Sequence, residues 1–341
     1  MGKTVVVIGG GYGGSLVARE LDAEAEVVLI DPRDAFVNVA GSLRALTRPE
    51  WAPNVFFPFA GLLERGRVVR DQAVSVDPRG VTLASGARVE ADYLVLATGS
   101  SYPYPARPAA TGTAEALADL RSTHAELAAA DRVLITGAGP VGLELAGEIK
   151  EVWPAKDVVV LGRGDLLPGL LPGVREDLLR QLDKLGIELR MDGGAAEADI
   201  EFRAFGVRVN TEYLADGRLT TLTGQGTVPV GERLNVTGYA HVYALGDITA
   251  LTDPPMATYA QDHAQVVVRN IRAQLAGQRP TAVYPPATDL RILLPLGTRM
   301  GVGQFPTPDG IAALPVETVV RRKGADLFTA RFAERFRGNA G

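Results

Sequence analysis

Two glycine loops carry most of the chemistry that the sequence offers. Residues 4–31 read as a short apolar strand (TVVVI), the loop Gly9-Gly10-Gly11-Tyr12-Gly13-Gly14, an apolar-periodic helix (SLVAREL), a second strand (AEVVLI) and then Asp31. Gly9 suits a sharp turn out of the strand, Gly11 leaves room for a diphosphate to touch backbone, and Gly14 lets helix and strand approach closely. The diphosphate then rests on the unpaired N–H groups of the helix N-terminus, at the positive end of its dipole. Asp31 falls 20 residues after Gly11, followed by Pro32 and Arg33, at a strand end where a carboxylate accepts from both hydroxyls of an adenosine ribose. Loop, flanking elements and acid together point to a bound dinucleotide.

The same plan recurs at 132–163: RVLIT, then Gly137, Ala138, Gly139, Pro140, Val141 and Gly142, then a helix (LELAGEIKEV) and a strand (DVVVL). Here the position matching Asp31 is Gly162, and Arg163 follows it. A cation there suits the 2′-phosphate of NADPH, and equally suits a solvated turn. Glu144 and Glu148, four apart, share a helix face. Glu144 is the candidate catalytic group, expected where a nicotinamide meets a second cofactor, although a first-turn glutamate also complements the helix dipole. Asp247, after the strand ending at Gly246, is a sugar ligand or a turn residue. His124, His241 and His263 lie far apart with no metal-ligand spacing, so no metal is expected and all three read as structural.

Strands alternating with helices imply doubly wound parallel sheets, an α/β fold with two Rossmann-like domains. The first domain is expected over 1–108 and 235–284, interrupted by the second over 109–234, with a small α+β region at 285–341. The proline-rich stretch SYPYPARP, 101–108, reads as the hinge between them. The helix after Met256 and Ala257 presents Ala260, Ala264, Val267, Val268 and Ile271 on one side.

Bulk composition narrows the partners. A chain of 341 residues with 46% hydrophobic content can bury a large core, and 35 basic against 40 acidic residues argue against nucleic acid. The partner expected is a small-molecule electron acceptor. There are no cysteines, so a redox-active dithiol is excluded and electrons must travel through bound cofactors. No apolar run approaches the length of a membrane span, and a cytoplasmic protein is expected.

With these pieces in place, the chain resembles the two-dinucleotide-binding-domain flavoproteins. It is most similar to the ferroptosis suppressor protein branch of the apoptosis-inducing-factor-like oxidoreductases, near the type II NADH:quinone reductases. The motifs that carry this are GGGYGG, IDPRDAF with NVAGSLRAL, LATGS, GAGPVGLELAGEIK, VYALGD, PPMATYAQDHAQVVVRNI, GVGQF and ADLF. The resemblance implies FAD along Gly9–Gly14 and Asp31, with Arg44 near the flavin nucleotide and the strand around Val74 near the adenine. It puts Ala97, Thr98 and Gly99 in the cofactor cleft, Asp247 on the ribityl chain, and the helix at Met256 aimed at the flavin ring. It implies NAD(P)H on the second loop, closed by Gly206, with hydride passing to flavin N5 and on to a quinone or similar aromatic acceptor. A specialised-metabolism oxidase or oxygenase with a degenerate second domain, and a redox-sensing flavoprotein with little turnover, are the alternatives.

One departure from that pattern stands out. The first copy closes with EADYLVLATG and the second with EADIEFRAFG, and the covering strands that precede the first ending are reduced in the second to MDGGAAEA. A sheet buried on both faces carries continuous apolar strands, whereas IEFRAF and IELR alternate. Glu201, Arg203, Glu188 and Arg190 are therefore expected on a wet face, under a strap of about 28 Å at most. A face packed on a second subunit, giving a homodimer, is the alternative.

The tail from Thr318 carries a local positive charge, and Phe328, Phe332 and Phe336 recur every four residues on a helix expected from Asp326. Such a helix either gives peripheral contact with an anionic membrane or packs on its own domain or a dimer partner.

Overall fold

The computed structural model describes residues 2–337. The last four residues of the expected C-terminal region lie outside the described residues. The first sheet is parallel throughout, in the order 242–244, 93–96, 4–8, 26–30 and 67–69. Its strands are continuous apolar runs because both faces are covered. One face packs the helices Tyr12–Leu21 and Ala257–Leu275, with Val5, Val7, Val27, Leu29 and Val95 in that core. The other face, bearing Val6, Ile8, Val28 and Ile30, packs an antiparallel layer of strands 73–77, 80–83 and 88–90.

The second sheet is also parallel, in the order 187–190, 157–161, 132–136 and 200–203. Register across it explains the alternating sequence. Leu189, Val160, Ile135 and Phe202 form one row, and Val160, Ile135 and Phe202 are buried in the core with the helices Pro140–Val152 and Pro172–Leu185. Glu188, Val159, Leu134 and Glu201 form a row on the opposite face, and Arg190, Leu161, Thr136 and Arg203 the next. Charges thus stand on the two edge strands while the apolar residues occupy the middle. Glu188, Glu201 and Arg203 are exposed, and the ion pair of Arg190 Nε with Glu188 Oε1 is 2.7 Å long. Arg190 also donates to Ala195 O at 3.2 Å, tying down the strap that replaces the missing layer. Long charged side chains can shield the apolar middle with their aliphatic stems while keeping their heads in water.

The two domains are joined by an antiparallel pair, Ser100–Ser101 with Arg208–Val209. After this pair Tyr213, Leu214, Leu219 and Val228 enter the core of the first sheet. The chain therefore returns to the first domain near residue 208, ahead of the boundary expected at 234, because those apolar residues cover the antiparallel layer.

The C-terminal sheet, strands 292–296, 300–307 and 310–313, packs on the second-loop helix. Contact is so close that a Cβ on Gly147 would lie 2.6 Å from Leu296 Cα. The terminal helix spans Thr329–Arg335, starting three residues later than expected. Phe332 and Phe336 are buried among Phe36, Phe57 and Tyr12, with Phe36–Phe332 centroids 4.9 Å apart. The aromatic stripe packs on the protein's own first domain, one of the two arrangements expected for it. Among the described residues no helix is long and apolar enough to cross a membrane.

Candidate functional site

Both loops fold into the same cradle. Gly9 has φ +100°, and a Cβ there would stand 2.5 Å from Ala97 O; Gly137 has φ +119°, and its Cβ would stand 2.7 Å from Ala204 O. A Cβ on Gly14 would lie 1.9 Å from Gly9 O, and one on Gly142 the same 1.9 Å from Gly137 O. By contrast a Cβ on Gly11 or Gly139 would meet nothing within 4 Å. Each helix therefore begins under an open space rimmed by backbone, of the kind a diphosphate needs. Gly13 acts differently, because its missing Cβ admits Leu245 and the Ala260 carbonyl and so brings two helices together. Pro140 and Val141 open the second helix, whose N-cap is Gly139.

Asp31 ends its strand with Oδ2 accepting from Gly10 N at 2.7 Å and Oδ1 from Arg33 N at 2.8 Å. Burial raises its pKa, and the two N–H donors and the charges of Arg107 and Arg33 oppose that rise. Asp247 is similar: burial raises it, opposed by the Ser100 hydroxyl, which donates to its Oδ2, and by Arg107. Two desolvated carboxylates with acceptor capacity to spare are suited to sugar hydroxyls. Thr98 Oγ1 donates to Asn210 O at 2.6 Å and Asn210 Nδ2 to Thr98 O at 3.0 Å, so the Ala97-Thr98-Gly99 turn is clamped by the returning chain. Gly99 and Gly246 both take left-handed φ, +62° and +72°. Met256 is the N-cap of the helix that begins at Ala257. A cavity of about 160 Å³ lies between Ser100, Val207, Asp247, Pro255, Tyr259 and His263.

Several residues expected near the cofactor make contacts within the protein. Arg44 is turned into the interior: Nη2 donates to Glu148 Oε1 at 2.8 Å and to Gly324 O at 2.7 Å, and Nη1 to Ala325 O. Its donors are used by protein groups that join three regions of the chain. Arg33 donates to Ala110 O and Pro108 O at the hinge, and Pro32 O accepts from Arg70 at 3.4 Å. Val74 sits on the covering layer with its side chain 48% exposed. Tyr12, raised in pKa mainly by burial, donates to Asn38 Oδ1 and accepts from Ala40 N. Arg163 is exposed, packed against Gly193 of the strap, and Gly206 follows Phe205, which is 52% exposed with Arg203 over its ring.

Glu144 is buried and meets a partner that the sequence did not reveal. Lys323 Nζ donates to its Oε1 at 2.6 Å and to Leu293 O at 3.2 Å. Burial lifts the Glu144 carboxyl above its ordinary range, while Lys323 and Arg44 pull it down and Glu148 pushes it up. Lys323 lies in the wide helical turn Val320–Gly324, and after it Leu327 and Phe328 both adopt left-handed φ, 51° and 65°. Asp326 accepts from Phe328 N, and buried Asn38 donates to Leu327 O at 2.8 Å, holding the strained turn. Backbone strain of this kind costs about 1–3 kcal/mol per residue and persists where surrounding contacts over-determine it. This is the physical content of the ADLF motif.

Arg107 is a second residue that the sequence did not mark. It lies in the proline-rich hinge, donates to Ser100 O, and its Nε is buried without a partner among the described residues. Its charge acts on Asp31, Asp247 and Tyr12 together, so it lies within electrostatic reach of both carboxylates of the first cleft. The available signal was a lone cation among prolines.

Comparison with known proteins agrees with this geometry. The family model described as pyridine nucleotide-disulphide oxidoreductase matches residues 3–264. Ferroptosis suppressor protein 1 of Taeniopygia guttata is 31% identical, covering 88% of each chain. Among solved structures, the sulfide:quinone oxidoreductase of Aquifex aeolicus superposes with TM-score 0.78 at 19% identity, covering 98% of this chain and 91% of that one. The NDH2 of Plasmodium falciparum, solved with NADH, gives TM-score 0.70 at 12% identity with 98% of both chains covered. The two structures establish the fold, and the family model and the sequence relative establish the lineage. The chain belongs to the pyridine nucleotide-disulphide oxidoreductase family and is, as that family's members are, an FAD-dependent oxidoreductase that uses NAD(P)H.

Proposed function

We propose that the protein passes reducing equivalents from NAD(P)H through FAD to a quinone or similar aromatic acceptor, so that NAD(P)H, a proton and the quinone give NAD(P)⁺ and the quinol. The observation that carries this reading is the second loop, whose cradle repeats the first to within a few tenths of an ångström although its sheet has lost one cover. A domain kept only as scaffold has no need of an open diphosphate space at Gly139.

FAD, when bound, would supply the two-electron redox chemistry between nicotinamide and acceptor. The chain's own part is binding and electrostatics. N–H groups at Gly11–Gly14 and Gly139–Gly142 hold the two diphosphates, and Asp31 and Asp247 accept from sugar hydroxyls. Glu144 Oε1 accepts from Lys323 Nζ in a desolvated site at the junction of the second loop and the C-terminal region, and this pair is the chain's candidate for moving a proton. Burial lifts this carboxyl above its ordinary range, which favours its holding a proton, and quinol formation takes up a proton. With no cysteine in the chain, the acceptor cannot be reached through a disulfide of the protein's own. Two structural neighbours, a sulfide:quinone oxidoreductase and an NADH-bound NDH2, support the acceptor class and the donor by analogy.

The test is anaerobic mixing of the flavin-loaded protein with NADH or NADPH, followed by a water-soluble quinone. Bleaching of the flavin absorbance by one nucleotide and its return on adding quinone is the expected result. Colour that survives both nucleotides overturns the reading. Return of colour with oxygen but not with quinone favours the oxidase alternative.

A further inference from the structure

Behind the Gly246–Asp247 turn lies a buried polar group with no part in the mechanism above. His263 is 1% exposed, and its Nδ1 accepts from Gly246 N at 3.0 Å. Accepting there requires the ring proton to sit on Nε2. That nitrogen faces Asp253 Oδ2 at 3.4 Å, and neither atom has another partner among the described residues. Asp253 Oδ1 in turn accepts from Tyr284 Oη at 3.0 Å and from Ala287 N at 2.9 Å, and the Tyr284 ring meets the imidazole edge at 4.2 Å between centroids. The carbonyl of Gly246 is held by Thr249 Oγ1 at 2.9 Å, so both polar groups of this left-handed glycine are fixed. Asp247, the next residue, lines the same cavity as His263.

We propose that His263 is a positioning residue for the flavin nucleotide: as a neutral imidazole whose tautomer Asp253 and Tyr284 select, it fixes the Gly246–Asp247 turn and so sets the affinity for FAD. This rests on the reading of that turn as part of the FAD site. Protonation of Nδ1 removes the lone pair that Gly246 uses and sets one N–H against another. The turn is then released and FAD is held less tightly.

The groups facing the ring define where this happens. Asp253, from the loop before the helix, and Asp262, from the helix itself, favour the imidazolium; Arg291, which pairs with Asp262 and lies over Tyr259, opposes it, and so does burial, the largest influence. The net direction is downward from the ordinary histidine value of 6.5. A depressed pKa of this kind leaves the neutral form, and the affinity it supports, intact above 6.5 and lost as pH falls through the lowered value.

The test uses the full chain stripped of flavin and titrated with FAD from pH 8 to pH 5, reading flavin fluorescence. Wild type is expected to lose affinity on acidification by a component that His263→Asn lacks, since the Asn side-chain oxygen can take the place of Nδ1 without titrating. His263→Asn binds within about threefold of wild type at pH 8, and His263→Phe about tenfold more weakly, the loss of one hydrogen bond. Nitrogen-15 spectra of the three histidines at pH 8 should place the His263 proton on Nε2. A proton on Nδ1, or an acid loss in His263→Asn that matches wild type, overturns the inference and leaves the FAD reading standing. A chain that takes up no FAD at any pH overturns both.

Discussion

Lys323 Nζ stands 2.6 Å from Glu144 Oε1 although the two residues are 179 apart in the chain. The pair joins the second-loop helix to the C-terminal region and is largely buried on both sides. Replacing Glu144 by Gln removes the titrating group while keeping an acceptor for the lysine, so the quinone-dependent turnover should fall about 100-fold or more. FAD content should not change. Lys323→Met strands the carboxyl, raising it further above its ordinary value of 4.5. For a raised carboxyl the stability is fully present below 4.5 and is lost as pH rises, so the gap in melting temperature between Lys323→Met and wild type should widen from pH 4.5 upward. A gap that narrows with rising pH would contradict the pairing.

What could be read ahead of the structure, and what could not, divides by range. The two loops and the strand end at Asp31 were legible because strand, glycine turn and helix are contiguous and each glycine answers a local steric demand, whereas Asp247 read locally as a turn residue and only the resemblance made it a ligand. The wet face was legible because alternation is a property of a single strand. Remote partnerships were not: Thr98 meets Asn210 across 112 residues and Arg44 meets Glu148 across 104. Periodicity assigns a side chain to a face and is silent about which distant charge arrives there. Only resemblance placed Arg44 near the flavin nucleotide, and no local pattern announced its bonds to Glu148, Gly324 and Ala325.

The wet face makes its own forecast. Phe202 is buried at the edge-strand end of one row, while Glu201, its neighbour, is exposed on the opposite face. Phe202→Ala should cost about 3–5 kcal/mol in urea unfolding, the usual loss for an emptied aromatic site. Glu201→Gln should stay within about 0.5 kcal/mol. Comparable losses in both would mean that this face is covered in solution, and would revive the second-subunit alternative.

Docking of the terminal helix should be equally measurable. Phe332 is buried against Phe36 and Tyr12, and Arg335 donates to Tyr12 O at 3.2 Å on the first-loop helix. Phe332→Ala is expected to lower stability by about 2–4 kcal/mol, less than a central core site because the helix can undock. Limited proteolysis should then cut near residue 325. Unchanged melting and an uncut chain would show that the helix contributes no anchoring.

Arg107 has a buried guanidinium nitrogen with no partner among the described residues, and its charge acts on two carboxylates that burial has raised. A cation in that place gains most when a diphosphate arrives, since a charge-assisted hydrogen bond contributes about 1.5–3 kcal/mol. Arg107→Met should weaken FAD binding by about 10–100-fold, with Arg107→Lys recovering part of it. Equal FAD affinity in Arg107→Met and wild type would assign the residue to the hinge alone.

The cradle geometry separates folding from binding in a way that single glycine changes can exploit. Gly14 and Gly142 have no room for a methyl group, because each would place it 1.9 Å from a backbone oxygen. Their alanine variants must distort the loop and should lower stability as well as binding. Gly11 and Gly139 differ: both have extended, non-strained backbone, φ −71° and −79°, and a Cβ that meets nothing within 4 Å. Gly11→Ala and Gly139→Ala should therefore melt as wild type does. The added methyl projects into the open space above each loop; on the proposal that a diphosphate lies there, each variant should lose only its own nucleotide. Gly11→Ala should be recovered with little or no yellow colour. Gly139→Ala should keep its FAD yet bleach with NAD(P)H only at concentrations raised about tenfold or more, the cost of about 1.4 kcal/mol of lost contact. If Gly139→Ala bleaches as readily as wild type, no nicotinamide nucleotide lies on the second loop, and hydride must reach the flavin by another route.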